Sequence, residues 1–498
     1  MLFNSYIFIL LFLPLALAAY YFFKYKSNDV LAKVSLVLMS LWFYSYFYLS
    51  YILVILTSIA VNFIVSKQMR KATRYKKGLM ISGIVMDVGL IFYYKYLDFV
   101  LENLNLVTGL NIPLLHILMP LGISFFTFQQ IGYLVDVYYN EIEHVDLLDY
   151  CLFITFFPQL IAGPIVTYNE MIPQFRAKEN SRFSSERFAK GLYWFACGLA
   201  KKVLIADTLG KGAKWGYANV ATLNGPEAIL TGVLYTFELY YDFSGYCDMA
   251  CGIGKMFEVD LPVNFLSPLK SLNVMDFWNR WHITLGRFLT NYVFNPLVRG
   301  FGPGKKGMDR AARKKRQEKI GNLCLFLTFF ISGIWHGANW TFILWGVLQG
   351  TGRVLYQIFR KKYDAWNKGV QWTINFVFNV FSMALFGAPS LKAFGQMLQK
   401  IPVGWSQGIR EGFLQNFDIM ELTYVEDHIG ILRSFVQSVP QTNMVLITMI
   451  AILIALLGRN IYEQKKTHTA WTAIATVILM VWSVLSLSSV STFLYFNF

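Results

Sequence analysis

The sequence predicts an all-α integral membrane protein of many helices. Three observations carry that expectation. Of the 498 residues, 56% are hydrophobic and only 15% are charged, where a soluble domain carries about a quarter. Apolar stretches of roughly 18 residues or more recur along the chain, each long enough to cross a hydrocarbon core of about 30 Å as a helix. Leu, Phe, Ile and Tyr fill them without strict alternation, which argues against a membrane β-barrel.

Taken in order, the expected spans run near 5–23, 30–48, 50–65 and 79–97, then 112–138, 147–166, 188–205 and 227–257. The last group lies near 323–335, 340–359, 370–386, 443–457 and 470–487. The net charge of +15 does not call for nucleic acid, because the basic residues sit in short runs between apolar segments. The positive-inside rule accounts for them. Lys24 and Lys26, the runs 67–77 and 305–319, Arg360 to Lys362, and Lys465 with Lys466 all agree as cytoplasmic markers. They place both termini outside. The acidic segment 390–441 also falls outside, as an extracytoplasmic insert in an otherwise single domain spanning 1–498. Arg176, Lys178, Arg182 and Arg187 break this alternation. Broken or re-entrant helices within 113–138 and 261–303 would restore it.

Ala16-Leu17-Ala18 imitates a signal-peptide cleavage site, but no basic residue precedes the apolar run. A retained first helix fits better. The five cysteines (Cys151, Cys197, Cys247, Cys251 and Cys324) all lie in apolar surroundings without a CxxC pair, and read as small buried residues. No metal site and no permanently bound cofactor are expected.

Polar groups at membrane depth are costly, so they mark the candidate chemistry. Of six histidines, four lie near expected helix ends or loops. His336 sits in SGIWHGANWTFILWG, between Gly333 and Gly337, after a short apolar helix. A desolvated imidazole stays neutral at pH 7 and can take a proton from a hydroxyl, an effect of roughly 10²–10⁴ in rate. A packing histidine remains open on the residues alone. His282 lies in DFWNRWHITLGRF with Trp278, Trp281, Arg280 and Arg287 around it. This suits either an interfacial helix or a donor-positioning group, with Trp281 and the two arginines as donor contacts and the guanidinium groups meeting phosphate. In FELYYDFSGYCDMACGIGK, Asp242 and Asp248 must face a cavity or a partner. Gly252 to Gly254 is no phosphate loop, since neither a Walker Lys-Ser/Thr nor a Rossmann strand accompanies it. No GxSxG, HExxH or P-loop occurs.

The aromatic tail 491–498, STFLYFNF, suits an interfacial anchor. Tyr495 also permits a sharper reading. A phenol (pKa about 10) and a thiol (about 8.5) hold an acyl group at comparable transfer potential, so an acyl group could pass from a thioester to Tyr495.

Six motifs in order resemble the membrane-bound O-acyltransferase superfamily: MLFNSYIFILLFLPL, LGISFFTFQQIGYLVDVY, FFPQLIAGPI, YYDFSGYCDMACGIG, DFWNRWHITLGRF and SGIWHGANWTFILWG. The chain looks most like the alginate O-acetylation branch, with the D-alanyl transferases of teichoic acid next. The resemblance implies a ring of helices around a central funnel. It implies that His336 is the catalytic histidine, His282 the second signature histidine and Tyr495 an acyl relay. It also implies a cytoplasmic thioester donor, acetyl-CoA or an acyl carrier protein, and an extracytoplasmic transferase as partner. The expected function is transfer of a short acyl group, acetyl, across a bacterial cytoplasmic membrane toward an envelope polysaccharide. D-alanyl transfer and, in another class, a transporter are the alternatives. Asn279 departs from the pattern, where a basic residue is expected, and puts the contacts to donor phosphate in doubt.

Overall fold

The computed structural model describes residues 1–177, 183–302, 309–417, 441–464, 469–487 and 491–494, with Tyr424, His428 and Val439. Among these residues all regular structure is helical. Five helices are long and apolar enough to cross a membrane: Phe8–Tyr25, Ser50–Lys71, Arg310–His336, Lys368–Gly387 and Thr442–Glu463. The expected span 112–138 is interrupted, and the segment 261–303, expected to be broken, has no long helix among its described residues. Residues 109–120 lack helical structure ahead of the helix Ile123–Tyr138. Beyond Met256 the chain is extended and then broken into short helices, among them Val274–Trp278 and Ile283–Leu289. Pro262 lies in the extended part and Pro268 opens the short 3-10 helix Pro268–Lys270; neither has an amide to donate.

The centre of the molecule is Gly225–Met256, 32 residues long and buried along most of its length. Asn224 starts it, accepting from the Glu227 amide in a reciprocal capping box. Glu227 also takes a two-pronged ion pair from Arg410 (Nε–Oε1 2.9 Å, Nη2–Oε2 2.5 Å), which fastens the start of the expected insert to this helix. Small residues let Ser185–Ala200 lie against it. A Cβ on Gly198 would come within 2.5 Å of the Gly245 carbonyl, and one on Gly245 within 2.7 Å of the Gly198 carbonyl. Gly191 and Gly252 repeat the arrangement seven residues away, each with a Cβ site 2.5 Å from the other's carbonyl oxygen. Gly252 therefore serves helix packing of the small-residue type. Gly245→Leu is expected to destabilise the fold by about 1–3 kcal/mol through overpacking, read as a lowered thermal midpoint of the detergent-solubilised protein.

The two buried aspartates of this helix have partners that sequence reasoning did not name. Lys201 binds Asp248 (2.6 Å) and Lys202 binds Asp242 (2.6 Å). Both lysines lie on the π-helical turn Lys201–Ala206. The signal was present in the sequence as two adjacent lysines inside an apolar run.

The basic residues that broke the charge alternation find an explanation in packing. Asp149 accepts both Lys33 (2.6 Å) and Arg176 (2.5 Å), and Arg187 binds Glu258 (2.7 Å). Tyr21 donates to the Met256 carbonyl (2.7 Å). Arg176 and Arg187 thus lie at the same end of the molecule as Lys24–Lys33. The basic stretch before His336 also differs from expectation: from Arg310 onward it is helical and continuous with the apolar part, giving one 27-residue helix instead of a short one.

Candidate active site

His336 is the last residue of Arg310–His336, and Gly337 leaves the helix in extended conformation. The neighbouring helix Trp340–Tyr363 turns back immediately, started by Asn339, whose side chain accepts from the Thr341 amide. Gly333 and Gly346 make this return possible: a Cβ on Gly333 would sit 2.8 Å from the Gly346 Cα. At Gly337 the close neighbour is the Phe342 ring, 2.2 Å from the Cβ site.

The end of this helix is held from outside. Its last carbonyls have no partners within the helix. Lys95 donates to the carbonyl oxygens of Trp335 and His336, both at 2.8 Å, and Tyr96 donates to that of Ile334 (2.5 Å). A cation at a helix C-terminus is also favoured by the helix dipole. The imidazole of His336 is 5% exposed. It meets the rings of Trp345 and Phe386 edge-on, each with centroids 5.1 Å away.

His282 lies at the start of Ile283–Leu289 with φ +44°, a left-handed conformation that is rare for a residue with a Cβ. Asn264 holds it there. The Asn264 carbonyl accepts the Ile283 amide (3.0 Å). Its side-chain oxygen accepts from the Thr284 amide (3.1 Å) and hydroxyl (2.9 Å) and lies 3.2 Å from His282 Nδ1. Its amide nitrogen donates to Cys247 Sγ (3.2 Å). The Thr284 amide can only donate, which fixes the orientation of the Asn264 amide. The hydrogen-bond network then assigns the proton of neutral His282 to Nδ1 and makes Nε2 the unprotonated nitrogen. Cys247 is thereby more than a small apolar residue.

The two histidines converge. Trp335 lies between them, its ring 4.9 Å from His336 and 6.5 Å from His282. Phe243 of the central helix packs edge-on against His282 at 4.8 Å. A cavity of about 900 Å³ reaches toward this pair, with Ser332, one turn before His336, and Ile283, next to His282, in its wall. Its other lining residues include Asn279, Arg287, Glu318 and Arg353. A second cavity of about 1640 Å³ is lined by Lys202, Lys211, Glu238, Gly387, Pro389 and Leu494, among others. The first touches Trp340–Tyr363 at Arg353 and Gln357, near the start of Lys368–Gly387; the second touches the far end of that helix. The second also follows Thr442–Leu456 through Leu446, Ile450 and Ile454 to Gly458. Lys270 donates to the Gly458 carbonyl (2.6 Å), next to Leu269, whose carbonyl accepts from Trp372 near the start of Lys368–Gly387, so the larger cavity runs along the molecule while the smaller one stays near one end.

The other sequence candidates are distributed unevenly. Arg287 lines the smaller cavity while ion-paired with Glu170, Nη2 to Oε2 at 2.8 Å. Arg280 pairs with Asp276 (2.8 Å). Trp281 is buried, stacked on Phe277 with centroids 5.5 Å apart. Neither is in the wall of that cavity. Tyr495 lies outside the described residues. Asn264 and Lys95 escaped the sequence reading. Asn264 is 18 residues from the histidine it holds; Lys95 was visible as a lone lysine inside an expected span.

Comparison with known proteins gives the family. Residues 136–397 match the model of the membrane-bound O-acyltransferase family. A peptidoglycan O-acetyltransferase from Helicobacter pylori is 37% identical across all of this chain and 98% of its own. A protein named "Probable alginate O-acetylase AlgI" from Pseudomonas aeruginosa is 32% identical over 80% of this chain and 74% of its own. A teichoic acid D-alanyltransferase from Bacillus subtilis is 29% identical over 51% of this chain and 61% of its own. With motifs, helical architecture and full-length similarity in agreement, the chain belongs to the membrane-bound O-acyltransferase family and is an acyltransferase embedded in the membrane.

Proposed function

We propose that this acyltransferase takes an acetyl group from a cytoplasmic thioester, acetyl-CoA or an acyl carrier protein, and passes it across the bacterial cytoplasmic membrane for O-acetylation of an envelope polysaccharide. The observation that carries this reading is the buried His336–His282 pair, brought to one tryptophan ring beside a cavity walled by Ser332 and Ile283. The smaller cavity, at the basic end, suits the donor, with Arg287 and Arg353 in its wall. The larger one suits the outgoing acyl group and an extracytoplasmic partner transferase. The relatives from Helicobacter and Pseudomonas, both named for O-acetylation, favour acetyl over D-alanyl.

In the proposed step His336 takes the proton of the accepting hydroxyl, that of Tyr495 or of the partner. The oxygen attacks the thioester carbonyl, the C–S bond breaks, and the proton passes from His336 to the departing sulfur. His282, protonated on Nδ1, orients the donor by accepting a hydrogen bond at Nε2. Asp242 and Asp248 maintain the helix contacts beside the larger cavity. A family ring of helices around a funnel fits this route.

Lys95 acts through His336. Lys95→Met is expected to lower the turnover of acyl transfer by about 10- to 100-fold and to leave the donor KM nearly unchanged, because the carbonyls that set the end of the His336 helix lose their donor. The function itself is tested by mass analysis of acyl groups released by mild base from envelopes with and without this protein. Acetate that disappears with the protein supports the reading. Loss of D-alanine identifies the other donor, and no change in either overturns the transferase route to the envelope.

A further inference from the structure

The two buried lysine–aspartate pairs of the central helix are not equivalent. Lys201–Asp248 is completed within the bundle, by the Tyr462 hydroxyl donating to Asp248 Oδ1 (2.9 Å). Lys202–Asp242 is not. An ammonium group has three hydrogens to donate, and Lys202 directs them at Asp242 Oδ1 (2.6 Å), Asp207 Oδ1 (2.8 Å) and the backbone carbonyl of Thr492 (3.1 Å). Asp242 keeps Oδ1 for Lys202, and its Oδ2 accepts the backbone amide of Leu494 (3.0 Å). Asp207 Oδ2 accepts the Ser491 hydroxyl (2.5 Å). Phe493, 1% exposed, lies under Lys202 Nζ (4.7 Å) and edge-on to Tyr246 (4.7 Å). Asn4 donates to the Ser491 carbonyl from the other side (3.0 Å).

The geometry points to Lys202, Asp242 and Asp207 as a built-in receptor for the extended segment 491–494, which they grip by the Thr492 carbonyl, the Leu494 amide, the Ser491 hydroxyl and the Phe493 ring and so hold in the wall of the larger cavity. The charged cluster is complete only with that segment in place. Lys202's third donor and Asp242's second oxygen are both satisfied by main-chain groups of 491–494, and buried charges left without such partners are costly. At Thr492 and Leu494 the contacts are to main-chain groups, so a change of the Leu494 side chain keeps its contact and a lost amide removes it. These three are positioning residues. Their consequence for transfer rests on the relay reading of Tyr495, the next residue in the chain.

The test uses the full-length protein in lipid nanodiscs. Hydrogen exchange at the Leu494 amide is expected to be at least about tenfold slower than in the free peptide of residues 487–498. Lys202→Met is expected to raise it to the peptide rate while amides of the central helix remain protected. Because removal of a buried lysine can also prevent folding, Leu494→Pro is the second variant: it deletes the amide and keeps Lys202, Asp242 and Asp207 themselves. Leu494→Pro is expected to lower acyl transfer to the envelope at least about tenfold, and Leu494→Ala, which keeps the amide, is expected to transfer within about twofold of wild type. A wild-type Leu494 amide that exchanges at the peptide rate overturns the receptor, as does Leu494→Pro transferring as well as Leu494→Ala. A protected segment together with full transfer by Tyr495→Phe removes the relay and leaves the receptor standing.

Discussion

His336→Ala, at equal expression, is expected to lower envelope O-acetylation by roughly 10²–10⁴-fold. The substitution deletes the imidazole that ends Arg310–His336 inside the aromatic surround of Trp345 and Phe386. It also leaves a gap against those two rings, so His336→Gln, which keeps most of the volume, is the companion variant. Equal loss in both, with unchanged thermal midpoints, assigns the effect to the imidazole. Acetylation that survives in both variants sinks the catalytic role and favours a transporter, whose cargo would not need the base. The release assay reads the outcome directly.

Tyr495→Phe is expected to abolish delivery to the envelope, with a loss of at least about 10²-fold. The ring is kept and only the oxygen that would carry the acyl group is removed. The measurement is twofold. Envelope acetate should fall to the level of cells lacking the protein, and the C-terminal peptide of the wild-type protein, purified alone, should carry an added acetyl mass on Tyr495. Retained envelope acetylation in Tyr495→Phe removes the relay and returns the acceptor hydroxyl to the partner.

Both predictions depend on residues that could be singled out before any fold was known, and the reason is physical. Hydrocarbon penalises polar groups so heavily that His336, His282, Asp242 and Asp248 stand out against their apolar neighbours. The long spans were legible for the same reason, and so was the small-residue pattern around His336. The bottom-up reading left His336 open between base and packing residue. The ordered motifs implied the base, and the structure brought His282 to the same tryptophan ring.

What the sequence by itself determined is therefore the class of molecule, its helical character and the family, with the two histidines as candidates, because each depends on local composition or a contiguous motif. Only the tertiary structure decided the rest. Asn264 fixing the tautomer of His282, Lys95 closing the end of the His336 helix across 241 positions, and Lys202 meeting Thr492 across 290 are contacts between distant parts of the chain. Each replaces water around a buried polar group with one specific partner, and no local pattern names that partner. The basic residues Arg176 and Arg187 illustrate the same limit. Simple alternation of spans sets them apart from the other basic groups, whereas Asp149, shared by Arg176 and Lys33, and Glu258, the partner of Arg187, put them at the end of the molecule where Lys24 to Lys33 lie.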